Sequence, residues 1–229
     1  MAKRVGTDPT YGFSINPWAM LFLVVVAIGS YYLANHNWGG GGSERLPKFY
    51  PVGTSANERD TIYQRIPSFT LTNQQGREVH ISKYDSLDAI YLIHAFELHA
   101  GLVPACEEAA RRLAEVSSKY EVLRMLSLVL DTVAVPVDTL QELAARLGAE
   151  APKWSLLSGD PAYMRTVVQN GLHISIRTDS SGLQVAPRWV LIDRMGVIRG
   201  RYEDCAPEEM DRLTNELPDL LSEYQAYRP

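Results

Sequence analysis

Histidine and cysteine side chains are the groups of this chain that could bind a soft metal ion or act as nucleophiles. The sequence contains five histidines and two cysteines, and His99 and Cys106 are near enough in sequence to ligate one metal ion together. The simpler interpretation is a surface-loop histidine beside a cysteine that is buried under a helix. His94 lies in an apolar segment, where we expect a core histidine whose ring nitrogens are satisfied by hydrogen bonds.

These residues fall on a strand, a turn and a helix. Residues 89–96 form an apolar run of strand length and composition, and residues 97–103 form a short turn. Pro104 then begins a helix with Glu107 and Glu108 near its start, as helix N-termini prefer. The N-terminal end of a helix stabilises a thiolate, but the turn before this helix contains no cysteine. The chain therefore has the strand, the turn and the helix start that could hold a reactive thiol, but the turn has no cysteine.

Composition limits the remaining function classes. Hydrophobic residues make up 46% and charged residues 21% of the 229 residues, which is typical of a globular protein. The net charge of −5 argues against nucleic acid, whose binding requires a basic face. The sequence contains no nucleotide-binding loop, hydrolase motif or zinc motif, and we predict that the chain is not an enzyme.

An apolar segment near the N-terminus predicts a membrane anchor. Residues 17–34 carry no charge, about the minimum length for a spanning helix, and aromatic residues flank the segment as in interfacial belts. A cleaved signal peptide fits less well because the expected basic region and cleavage site are a poor match. A buried core helix is disfavoured because the segment is apolar on all faces. The anchor residues that we single out are Trp18, Leu21, Phe22, Val25, Tyr31 and Tyr32.

The chain is predicted to have four parts. From residue 66 onward strands alternate with helices, and hairpin patterns stand at both ends, which predicts an α/β domain with a thioredoxin-like sandwich. Within that domain Asp138 is the expected N-cap of a helix that Gly148 ends. The four parts are an N-terminal arm (1–15), a transmembrane signal anchor (16–35), a glycine-rich tether and lead-in (36–65), and the folded domain (66–229).

Four stretches of this domain occur in the order and spacing of one known family. They are residues 66–76, residues 127–131 with the helix over 140–149, residues 154–160, and residues 190–196. Over residues 60–225 the chain resembles the SCO/SenC proteins, which are membrane-anchored, thioredoxin-fold copper proteins of cytochrome oxidase assembly. The resemblance implies a thioredoxin-like domain behind one N-terminal transmembrane helix.

The copper ligands of that family are missing from the corresponding positions. Family members use a Cys-x-x-x-Cys-Pro turn and a distal histidine, and those three positions correspond to His99, Val103 and Val185. Because Cu(I) selects thiolate and thioether ligands, a lone imidazole cannot replace the site, and we expect no cofactor. A variant copper site around His99 and Cys106 is the alternative. Pro187 stands where many thioredoxin-like proteins have a cis-proline, and an ordinary strand-edge proline fits equally well.

The resemblance also bears on the two cysteines. It implies that the helices beginning near Cys106 and Cys205 share one face of the sheet and have neighbouring ends. In an oxidising compartment these cysteines could form a structural disulfide, and two free buried thiols are the alternative. A catalytic Cys106 is disfavoured because Glu107 and Glu108 oppose a thiolate beside them.

These observations predict a non-catalytic, SCO-like accessory or structural subunit of a membrane respiratory complex, either an oxidase or a quinol-oxidising complex. We expect a single-pass protein of the inner membrane, with its N-terminus in the cytoplasm and its domain in the periplasm. The expected partners are integral membrane subunits and the lipid bilayer, with no nucleic acid. The alternatives are a copper chaperone or assembly factor for cytochrome c oxidase, and a thiol oxidoreductase that works through Cys106.

Overall fold

The chain forms two compact units, Met1–Glu44 and Arg45–Pro229. In the first unit the described residues are helical and exposed, and they include Trp18 and Val25. Leu21, Phe22, Tyr31 and Tyr32 lie outside the described residues. Among the residues that the structure describes, no helix is long and apolar enough to cross a membrane. The structure, a computed structural model, describes residues 17–18, 24–26, 28, 30, 45–55, 60–82, 89–99, 104–180, 182–186, 188–203 and 205–225.

A seven-stranded mixed sheet forms the centre of the second unit. The strands of this unit are β1 (Pro51–Thr54), β2 (Thr61–Tyr63), β3 (Phe69–Asn73), β4 (Glu78–Ile81), β5 (Ile90–Glu97), β6 (Leu123–Leu130), β7 (Trp154–Ser158), β8 (Ile176–Asp179), β9 (Gly182–Val185), β10 (Arg188–Ile192) and β11 (Ile198–Glu203). The large sheet has the order β11-β10-β5-β6-β7-β3-β4. Strands β5, β6 and β7 run parallel, and the outer pairs are antiparallel. Two antiparallel hairpins, β1–β2 and β8–β9, form separate two-stranded sheets.

Helices cover both faces of the sheet. They are α1 (Pro104–Ser118), α2 (Val137–Leu147), α3 (Pro161–Thr166), which continues into a π-helical turn (Val167–Gly171), and α4 (Pro207–Gln225). Helix α2 begins one residue before Asp138, and Pro136 stands at its N-cap without a side-chain hydrogen bond. The prediction that Asp138 is the cap is therefore wrong, although Asp138 still lies in the first turn, where the helix dipole favours it.

Strand β5 is buried along its whole length, so its alternating side chains build two separate cores. Ile90, Leu92 and Phe96 join the core beneath α1, α2 and α4. Ile93 and Ala95 join the core on the opposite face, which α3 and the π-helical turn cover. This alternation determines which face of the sheet each chemically active side chain of β5 reaches.

The compact unit that contains the sheet begins at Arg45, and residues 46–49 contact the sheet and the last helix. Leu46 is buried, and its amide donates to a Glu223 carboxylate oxygen at 3.0 Å. The Phe49 amide donates to the Ile198 carbonyl at 3.0 Å. A lead-in that pairs its backbone with the unit is part of the domain.

Candidate functional site

His94 lies in the middle of β5, between two neighbouring strands. It pairs with Trp189 of β10 on one side and with Ser127 of β6 on the other. Its side chain lies on the same face of β5 as those of Leu92 and Phe96, two residues away on either side, and α1 and α4 cover this face. The ring stacks on Trp189 with a centroid distance of 4.5 Å and on Phe96 at 5.5 Å. Two aromatic rings thus fix the plane of the imidazole.

A disulfide joins Cys106 and Cys205 above the same face. The two Cα atoms lie 5.2 Å apart, across 99 residues of sequence. Cys106 stands in the first turn of α1, and Cys205 stands just before α4 in the left-handed backbone conformation, with φ of 52°. Both residues are buried. The starts of two helices are therefore covalently linked, and the alternative of two free thiols does not describe this structure.

His94 and the two cysteines form one compact buried cluster. A ring nitrogen of His94 and the Sγ atoms of Cys106 and Cys205 all lie within 4.8 Å of one another. Neither ring nitrogen of His94 has a hydrogen-bond partner among the described residues. The expectation of a satisfied core histidine is therefore half wrong: the residue is in the core, but its polar atoms are unpaired. Burial alone lowers the pKa of His94 from 6.5 to about 3.

The lowered pKa of His94 predicts that the stability of the folded chain decreases in acid. The unfolded chain takes up a proton on this residue below about pH 6.5, while the folded chain takes it up only near pH 3. The unfolded state therefore binds more protons between these values, and stability falls as the pH falls through this window. We expect wild-type protein to lose about 2–3 kcal/mol more than His94→Phe between pH 7 and pH 4.5.

Urea unfolding of both proteins at the two pH values measures this difference. The comparison uses only the pH dependence of each protein, so any packing cost of phenylalanine cancels. Equal acid sensitivity of the two proteins would contradict the assignment of His94 as a buried neutral group.

His99 belongs to a different cluster at the carboxyl ends of β5 and β6. Its side chain is exposed, and Nε2 lies 3.3 Å from an Asp131 carboxylate oxygen. Its backbone amide donates to Glu97 Oε1 at 2.8 Å. His99 contacts Asp131, and Cys106 is bonded to Cys205. The two proposed ligands of a variant copper site are therefore paired with different residues and not with each other.

The positions that the family uses for copper do not form a metal site here. Val185 ends β9, pairs with Ile176 and offers no ligand atom. Val103 and Pro187 lie outside the described residues. Because valine side chains cannot bind a metal, the donor set at His99, Val103 and Val185 does not fit copper.

Asp131 and Trp189 are two residues of these clusters that no sequence pattern singled out. Asp131 directly follows β6, and the carboxyl end of a parallel strand is a common place for polar groups that act together. Trp189 starts the apolar part of β10, and its indole nitrogen is also buried without a partner among the described residues. His94 is two residues from both Leu92 and Phe96, so all three side chains share one face of β5. This spacing could have predicted from the sequence that His94 faces the helix carrying Cys106.

Several solved structures that are similar to this fold are SCO proteins. A SCO1/SenC family lipoprotein from Bacillus anthracis matches with a TM-score of 0.59 and 14% identity, over 69% of this chain and 95% of that chain. BsSco, a member of the Sco family of cytochrome c oxidase assembly proteins in which a disulfide switch has been identified, matches with a TM-score of 0.57 and 13% identity, over 71% and 96%. Copper-bound ScoI from Arabidopsis thaliana matches with a TM-score of 0.53 and 13% identity, over 68% and 99%.

The second unit therefore has the thioredoxin-like α/β fold of the SCO/SenC proteins, as the sequence predicts. The fold also matches a peroxidoxin, BcpB from Mycobacterium tuberculosis, with a TM-score of 0.53 and 15% identity, over 79% of this chain and 100% of that chain. No protein-family profile and no curated protein sequence matches the chain. At such low identities the fold alone is shared, and function has to be argued from the site.

Proposed function

We propose that the chain is an SCO-like assembly factor for a membrane-bound cytochrome oxidase. The observation that carries the proposal is the SCO fold of Arg45–Pro229, which this chain shares with a protein of cytochrome c oxidase assembly. The proposal treats the role as one of binding and assembly, not of enzymatic turnover. It does not use the copper position of the family, because Val185 supplies no ligand atom there.

The proposed location is the outer face of the cytoplasmic membrane. The disulfide between Cys106 and Cys205 supports an oxidising compartment, since such bonds are rare where thiols are kept reduced. The uncharged run over residues 17–34 supports an anchor in the bilayer. In this proposal the N-terminus is cytoplasmic, and the folded unit is periplasmic and reaches the membrane-embedded oxidase subunits.

A permanent accessory subunit of a respiratory complex is the second candidate. It is favoured by one observation, the loss of donor atoms at the family's copper position, because a domain without that chemistry can be kept for the contacts of its surface. The two candidates differ in when the chain is bound: an assembly factor leaves the finished complex, and a subunit stays.

Deletion of the gene from the organism that encodes the chain tests the main proposal. We expect assembled oxidase, measured as activity and haem content per milligram of membrane protein, to fall several-fold and to recover when the full chain is supplied. A complementing His99→Ala chain is the matched control and restores the oxidase fully, because the exposed His99 is outside the proposed role. Unchanged oxidase content in the deletion strain would refute an assembly role.

Purification through a tag on the chain separates the two candidates. An assembly factor is expected with incomplete oxidase and in amounts well below one copy per finished complex. Recovery of one copy with each mature complex would show the accessory subunit instead.

A further inference from the structure

The cluster of His94, Cys106 and Cys205 contains a feature that a structural disulfide does not require. A neutral imidazole carries one donor and one acceptor nitrogen, and both are unpaired here within the described residues. Buried polar atoms are paired in the great majority of cases, because an unmade hydrogen bond leaves the loss of hydration uncompensated. Leucine or phenylalanine would fill the same place in the core at no such cost. A bond that another form of the site makes to one of these nitrogens would account for an imidazole at this place.

The geometry shows what that bond would join. A ring nitrogen of His94 and both sulfur atoms lie within 4.8 Å of one another, which is the spacing of side chains that can close on one ion. Trp189 and Phe96 hold the ring in its plane, and the helix starts of α1 and α4 carry the sulfurs. The three residues come from three separate elements that the fold brings together.

We propose that this cluster is a metal site that the disulfide closes, and that after reduction it binds one thiophilic d10 cation through His94, Cys106 and Cys205. Two thiolates and an imidazole are soft to borderline ligands, which suit Cu(I) and Zn(II) and not Mg²⁺ or Ca²⁺. These residues differ from the family's copper positions, and the inference does not depend on the proposed role at the oxidase.

The metal-bound form is reached in two steps, reduction of the disulfide and then binding of the cation, and each step conserves atoms and electrons. A dithiol reductant gives two electrons and two protons to the Cys106–Cys205 bond, which becomes two thiols, while the reductant becomes a disulfide. The cation then replaces the two thiol protons, which leave to solvent, and a neutral His94 nitrogen donates its lone pair. Because both cysteines are buried, the two helix starts must separate for the reductant to reach them.

Charge and coordination number favour different ions within this class. Zn²⁺ with two thiolates forms a neutral centre, which suits a buried apolar place, but structural zinc sites normally have four ligands. Cu⁺ is satisfied by three soft ligands but leaves one net negative charge in the core. The experiment therefore uses both ions as separate probes.

Metal binding to the full-length chain tests the proposal. The chain is reduced with a dithiol and freed of reductant without oxygen, and is then titrated with Cu⁺ against a coloured Cu⁺ chelator and, separately, with Zn²⁺ against a coloured Zn²⁺ chelator. We expect one ion of at least one kind per reduced chain and none in the oxidised chain. His94→Phe should weaken binding by at least 10–100-fold, which is the loss that even outer-shell changes cause, while His99→Ala should bind as wild type does.

X-ray absorption at the edge of the bound metal gives a readout that does not depend on any variant. Two sulfur ligands and one nitrogen ligand are expected in the reduced wild-type chain. Failure of both ions to bind, equal binding by the oxidised chain, equal affinity of a folded His94→Phe chain, or a metal without nitrogen ligation would each overturn the proposal. These results concern purified protein, and the deletion phenotype is a separate result that can succeed or fail on its own.

Discussion

Replacing Arg199 with methionine is expected to lower the free energy of unfolding by about 3–5 kcal/mol, since removing one partner of a buried ion pair leaves the other charge uncompensated. Arg199 lies on β11 and is 2% exposed. Its guanidinium lies 3.2 Å from an Asp193 carboxylate oxygen and 2.8 Å from a Glu223 carboxylate oxygen. It also donates to the backbone carbonyl of Leu46 at 2.7 Å. Methionine keeps much of the length of the side chain and removes every one of these bonds.

Urea unfolding followed by tryptophan fluorescence measures the loss. Arg112→Met is the matched control, because Arg112 pairs with Asp211 at 2.7 Å while both side chains are about half exposed. Exposed ion pairs contribute little, and this variant should change stability by less than about 1 kcal/mol. If the two arginine variants lost the same free energy, the buried network would have no special weight in the fold.

Removing the disulfide is the second change with a large expected effect. The bond spans 99 residues, and the chain-entropy model gives about 4–5 kcal/mol for a closed loop of that size, within a typical range of about 2–5. We therefore expect Cys106→Ala with Cys205→Ala, or the wild-type chain in a dithiol reductant, to unfold at a clearly lower urea concentration.

The double variant also supplies its own control, since reductant should not change its unfolding midpoint. A wild-type midpoint that did not respond to full reduction, checked by counting free thiols, would show that the bond adds nothing to the stability of the fold. Partial refolding of the reduced chain on addition of Cu⁺ or Zn²⁺ would follow from mass action, because a ligand that binds only the folded state stabilises it.

Sequence patterns predicted the central part of the fold because that part obeys local rules. The apolar run at 89–96 and the prolines that begin α1, α3 and α4 have signals that lie within a few residues. The β8–β9 hairpin has no such signal: β8 reads Ile-Arg-Thr-Asp and is largely exposed, without the alternation that predicts a half-buried strand. The contacts of Leu46 have no local signal for a related reason, since they are made with residues more than 150 positions away.

The candidate site also has features that the sequence predicts and features that only tertiary packing determines. The sequence was enough to place His94 in the core and Cys106 and Cys205 at helix starts. Whether a buried ring nitrogen finds a partner depends on the side chains of the neighbouring strands. Trp189 of β10 stacks on His94 without bonding to it, and the hydroxyl of Ser127 of β6 accepts from Trp154. That fact belongs to tertiary packing, and no spacing within β5 encodes it.

Arg199 has a mechanical consequence for the folded unit. Its guanidinium holds the backbone at Leu46 and the carboxylate of Glu223 at one point, so a residue near the start of the folded unit and a residue of its last helix are held side by side. A pulling force between Leu46 and Glu223 would act first on this cluster and on β11, the edge strand that carries Arg199.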